Sequence, residues 1–152
     1  MNSSHPLPPG LYGFHDLAIG DRVNTGSAEI SADLISRFAD VSGDHYAIHL
    51  DDTAAQAKGF ERRVAHGLLV LSVVDGLKNN AQARLDGLAS LGWNWTFAKP
   101  VFAGDSIHAV LTIQSKRRTR SGSRGILRIS FEVFNQDGAM IQTGHNELIF
   151  DL

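Results

Sequence analysis

From Val64 to Leu77 the chain reads V-A-H-G-L-L-V-L-S-V-V-D-G-L, and apolar residues fall on nearly every side of a helix drawn through it. The pattern predicts a central helix, buried on most sides. Upstream, Thr25 to Ile30 suits a short strand. Ser31 then reads as an N-cap, with Asp33 in the first turn and Leu34, Ile35, Phe38 and Ala39 on one face, so a helix is expected to end near Val41. Asp51 or Asp52 can cap a small helix through Thr53 to Lys58, stopped by Gly59. Beyond Gln82 the period changes to two. Trp93, Trp95 and Phe97 alternate, as do Ile107, Ala109, Leu111 and Ile113, and again Leu127, Ile129, Phe131 and Val133. Breaks at Pro100 to Asp105, a hairpin at Ser121-Gly122-Ser123 and a turn at Asn135 to Gly138 separate four half-buried strands, the last from Ala139 to Phe150. Antiparallel strands following one buried helix imply an α+β fold with the sheet curled around that helix.

A chain of 152 residues, 43% hydrophobic, is sized for one domain with a core of its own. Three of the four prolines fall within the first ten residues, so residues 1–16 read as an extended leader and 17–152 as the folded domain. Without cysteine there is no disulfide framework or thiolate metal site. The first residues lack the pattern of a signal peptide and no stretch is apolar and long enough to span a bilayer, so a soluble, cytoplasmic protein is expected. A net charge of −2 disfavours nucleic-acid or acidic-membrane partners. Metal-ligand histidine spacing, a Gly-rich phosphate loop and a nucleophile elbow are all missing, so neither a metal nor a resident cofactor is expected.

The most polar stretch is S-G-D-H-Y-A-I-H-L-D-D, residues 42–52. Tyr46, Ile48 and Leu50 are expected to pin this loop to the core and so fix Asp44 and His49 in place. A carboxylate and an imidazole can share a water between a proton acceptor and a donor; equally, Asp44 can cap a turn after Gly43 and His49 can be a satisfied buried histidine. At the start of the central helix, Gly67 offers close approach to unpaired N–H groups and positive dipole, where a polarised carbonyl or an anion can be held; a tight helix entry would also need a small residue there. His66 beside it reads as structural. Ser72 and Asp75 share one stripe of the helix. Lys116, Arg117, Arg118, Arg120 and Arg124 place five of the fourteen basic residues within nine positions, suited to phosphate groups or simply to a solvated hairpin tip.

Taken together, S-G-D-H-Y-A-I-H-L-D and F-E-R-R-V-A-H-G-L-L resemble the MaoC-like, R-specific enoyl-CoA hydratase/dehydratase family, whose signature reads approximately F-x-x-x-S-G-D-x-N-P-I-H-x-D and then F-x-x-x-V-A-H-G. Phe38, Ser42, Gly43, Asp44, Ile48, His49 and Asp51 match, as do Phe60, Val64, Ala65, His66 and Gly67, with K-P-V-F-A-G-D (99–105) in further support. The departure is Tyr46-Ala47, where the family has Asn-Pro.

The resemblance implies a hot-dog fold, normally paired as dimers, and a homodimer or dimer-based oligomer is expected from it. It implies that Asp44 and His49 activate water to interconvert a trans-2-enoyl-CoA and a (3R)-3-hydroxyacyl-CoA, that the Gly67 N–H polarises the thioester carbonyl, and that Ser72 orients the active-site loop. Coenzyme A would enter only as part of the acyl-CoA thioester substrate, with Arg117, Arg118, Arg120 and Arg124 as candidate contacts to its phosphates. The alternatives carried forward are a hot-dog thioesterase, in which a carboxylate directs water at the carbonyl, and a non-catalytic acyl-CoA binder, which the missing Asn-Pro leaves open.

Overall fold

The computed structural model describes residues 5–152; the first four residues of the expected leader lie outside the described part. In chain order the elements are β1 (Gly10–Tyr12), β2 (Arg22–Asn24), β3 (Ala28–Ile30), α1 (Ala32–Ser42), α2 (Ala47–Leu50), α3 (Asp52–Ala57), α4 (Gly67–Asn79), β4 (Ala83–Leu85), β5 (Ala89–Phe97), β6 (Asp105–Arg118), β7 (Arg124–Asn135) and β8 (Met140–Asp151). The main sheet runs β2-β6-β7-β8-β5, with β3 also paired to β6, and every pairing in it is antiparallel. Leu69, Val70 and Val74 of α4 are buried together with the inward side chains Leu111, Ile113, Leu127, Ile129, Phe131 and Phe150 of the long strands. Fully burying an aliphatic side chain contributes about 1.5–3 kcal/mol, so this face of α4 and the concave face of the sheet hold one another.

The central helix differs from the expected one at its start and on one side. Residues 64–66 are not helical: Val64 forms an isolated bridge with Phe102, and the Ala65 N–H donates to the Val101 carbonyl at 2.7 Å. These neighbours claim the backbone as an extended strap, so the helix begins at Gly67. Nor is α4 buried all round, because Leu68 is 61% exposed and Ser72, one turn on, is exposed as well. Helix α1 follows its sequence signals closely. The Ser31 hydroxyl accepts the Leu34 N–H at 3.0 Å, and Gly43 closes the helix at φ 78°, a left-handed conformation that glycine adopts without strain.

Within the segment read as a leader, Gly10–Tyr12 pairs in parallel with β4, outside the main sheet, and Phe14 is only 5% exposed beside Phe150. Lys116 secures this segment: its ammonium donates to the Leu17 carbonyl at 2.6 Å and lies 4.5 Å from the centre of the Phe14 ring. No helix among the described residues is long and apolar enough to cross a membrane.

Candidate active site

Asp44 is held on three sides. Its N–H donates to the Ser42 hydroxyl at 3.2 Å, one carboxylate oxygen accepts the Tyr46 N–H at 3.2 Å, and its carbonyl accepts from the His66 ring at 2.9 Å. The carboxylate stays about half exposed, with its second oxygen 3.9 Å from Nε2 of the buried His49. At 3.9 Å the two do not bond directly, but one water oxygen can lie about 2.8 Å from each. His49 Nδ1 stands 2.6 Å from the Val64 carbonyl. A carbonyl only accepts, so Nδ1 carries the hydrogen, and in the neutral ring the Nε2 lone pair faces Asp44.

The way His49 is buried departs from the expectation. Tyr46, Ile48 and Leu50 are expected to pin a loop to the core, whereas Ala47–Leu50 is a single helical turn. That turn sends His49 inward and leaves Ile48 and Leu50 half-buried and Tyr46 55% exposed. The Tyr46 ring stands edge-on to His49 at 6.2 Å.

The strap from Arg63 to Gly67 makes contact after contact with this loop. The Arg63 Nε donates to the His49 carbonyl at 2.9 Å, the Val64 N–H donates to the Ile48 carbonyl at 3.0 Å, and the Val64 carbonyl orients His49. His66 stacks on His49 with ring centroids 3.8 Å apart and planes 24° apart. Gly67 is the first residue of α4, so its N–H has no acceptor within the helix and carries the positive end of the helix dipole. A Cβ at Gly67 would run into the Phe97 ring, so any larger residue there has to displace that ring.

Phe97 also divides two cavities. One, of about 370 Å³, contains Asp44, His49, His66, Gly67 and Leu68; the other, of about 310 Å³, is walled by apolar side chains of Phe60, Val64, Val70 and Val101. Both reach His49, Gly67 and Phe97. Like His49 and Lys99, the buried Gln142 is a polar group in the same wall. Its amide nitrogen donates to the Gly67 carbonyl at 3.2 Å, and its oxygen accepts the Trp95 indole N–H at 2.8 Å.

Asp44, His49 and His66 bring ligand-type atoms within 4.8 Å of one another, a cluster that sequence spacing did not reveal. Its geometry suits hydrogen bonding better than ligation, because the lone pairs of two stacked imidazoles run side by side and do not converge on one ion. Outside the cluster, His45 donates toward Asp40 at 3.0 Å, and that hydrogen bond is the main cause of its raised pKa.

Other candidates lie apart. The Ser72 hydroxyl donates to the Leu68 carbonyl at 2.8 Å on the exposed side of α4 and lines neither cavity, and Asp75 pairs with the buried Lys78 at 2.7 Å. Arg117, Arg118, Arg120 and Arg124 cluster at the far end of the sheet, where Arg124 pairs with Asp151 at 2.9 Å. From Gln142 to Asp151 is nine residues of strand, about 30 Å. Sequence reasoning missed Arg63, Phe97 and Gln142 as parts of the site.

The chain is similar to known proteins over most of its length. The sequence model of the MaoC-like domain matches residues 16–132. An (R)-specific enoyl-CoA hydratase of Aeromonas caviae is 34% identical over 119 residues, 78% of this chain and 81% of that one. A MaoC-like dehydratase from Rhodospirillum rubrum superposes with a TM-score of 0.85 at 25% identity, covering 92% of this chain and 97% of its own. A Mycobacterium tuberculosis protein described as a double hot-dog fold gives a TM-score of 0.80 at 17% identity, over 92% of this chain and 44% of that one; the likeness there concerns the fold. The architecture is the α+β hot-dog.

Proposed function

The chain belongs to the MaoC-like family of hydratases and dehydratases, and on that premise we propose that it adds water to a trans-2-enoyl-CoA to give a (3R)-3-hydroxyacyl-CoA, and catalyses the reverse. The observation that carries this reading is the 3.9 Å gap between the Asp44 carboxylate and His49 Nε2 beside the Gly67 helix start, at the mouth of an apolar cavity.

In the proposed reaction the thioester carbonyl accepts the Gly67 N–H, and the acyl chain enters the apolar cavity. Asp44 and His49 hold one water against C3. His49 Nε2 takes a proton as the water oxygen bonds to C3, and the electrons of the double bond move onto the carbonyl oxygen as an enolate. Gly67 stabilises that charge, the imidazolium beside Asp44 returns the proton to C2, and one molecule of water has been added. The reverse order of steps dehydrates. No further group is called upon, and coenzyme A is part of the substrate.

The protein also acts as a homodimer in this reading. Strand β5 ends the sheet and carries the exposed Leu91 and Phe97, and a second copy would cover that edge. Light scattering at micromolar concentration is expected to give twice the 16.5 kDa chain mass; a stable monomer would refute this part.

Incubation with a short enoyl-CoA tests the activity itself. Loss of the conjugated absorbance without free thiol is expected. Release of thiol would mean a thioesterase, and absence of both changes would mean a binding protein.

A further inference from the structure

We propose that His66 is a positioning residue for the hydration reaction, one that ties the catalytic loop to the helix start carrying the oxyanion donor. The inference rests on the hydratase reading above and extends it to a residue that takes no part in the proton transfers.

His66 is 3% exposed and occupies the N-cap position of α4, yet its side chain makes no capping bond. Serine, threonine, aspartate or asparagine would cap there, so helix stability does not account for a histidine. Its Nε2 lies 2.9 Å from the Asp44 carbonyl, 22 residues away in sequence. Because a carbonyl only accepts, Nε2 carries the hydrogen and donates it. The other ring nitrogen, Nδ1, is buried with no hydrogen-bond partner among the described residues. One nitrogen is engaged with backbone and the other is buried, so the ring is better placed to hold its neighbours than to pass a proton to substrate.

What the ring does is hold its neighbours. It stacks on His49, and Phe38 closes edge-on against it at 5.0 Å. One side chain therefore fixes the residue bearing the catalytic carboxylate and the plane of the catalytic imidazole, and the next residue is Gly67. Burying a polar atom without a partner is costly, and such an arrangement persists where geometry is worth more than local stability.

Two variants separate this role from a merely structural one. His66→Phe keeps a ring to stack and loses the donor; His66→Gln keeps a donor and loses the ring. A carboxylate displaced by a fraction of an ångström affects the transition state more than substrate binding, so His66→Phe is expected to lower kcat by about 10- to 100-fold with KM within about threefold. His66→Gln is expected to recover at least about fivefold of that loss, at whatever melting temperature each variant shows. Wild-type kcat in His66→Phe overturns the proposal. So does a His66→Gln variant, folded by circular dichroism, that is as inactive as one lacking His49, and this criterion stands even if His66→Phe does not fold. Failure of the hydratase reading is told apart at once, because it leaves the wild-type protein without hydration.

Discussion

At the Gln142 end of β8 the polar groups are buried and bonded to particular backbone atoms: Gln142 to Gly67, His49 to Val64, His66 to Asp44. At the Asp151 end the charge is denser but exposed, and the Arg124–Asp151 pair there lies at the surface. Exposed charges stay solvated at little cost, and a surface pair contributes about 0–1 kcal/mol. A buried amide or imidazole costs free energy unless it is bonded, so each buried polar group marks a place where the fold has been shaped around it. Charge density alone points to the hairpin, whereas burial with directed hydrogen bonds points to the strap.

This contrast can be broken by substitution. The largest effect is expected at the strap: Gly67→Ala places a methyl group against the Phe97 ring and fills the approach to the helix start. Removing an oxyanion contact of this type costs about 10²- to 10³-fold in kcat, and that loss is expected here in steady-state hydration assays. A Gly67→Ala enzyme within tenfold of wild type would remove the helix start from the account. At the other end, Arg117, Arg118 and Arg120 replaced together by alanine should leave kcat/KM within about threefold, since exposed hairpin charges mostly interact with solvent. A drop well beyond that, screened by added salt, would show that the hairpin reaches the coenzyme phosphates, from this chain or from a partner.

Much of this was legible in the sequence, and for physical reasons. Capping at Ser31 and Asp51 is local chemistry, and both residues cap in the structure. Alternation over β6 and β7 reports one buried face, which tertiary structure preserves. The parts that were not legible depend on long-range partners. Val64 to His66 look like the first turn of a helix until Val101 and Phe102 pair with them from across the fold. Gln142 falls next to the buried Ile141, which breaks the alternation of β8. The cause is a register shift against β7, where Val133 faces Gln142 and Phe134 faces Met140, so that Ile141 is the extra residue. Asp44 and His49 were singled out by their motif, but the 3.9 Å gap and the tautomer of His49 needed Val64 in place.

The Asp44/His49 pair acting on one shared water is the centre of the account, and a double-mutant cycle addresses it most directly. Turnover of a short enoyl-CoA would be measured for Asp44→Asn, His49→Ala and the double variant, each shown to be folded. General acid–base groups commonly contribute about 10²- to 10⁴-fold, and each single variant is expected to lose that much. If the two residues serve one water, the double variant loses little more than the worse single one. Losses that multiply in the double variant would show two independent roles, and wild-type turnover in either single variant would contradict the mechanism outright.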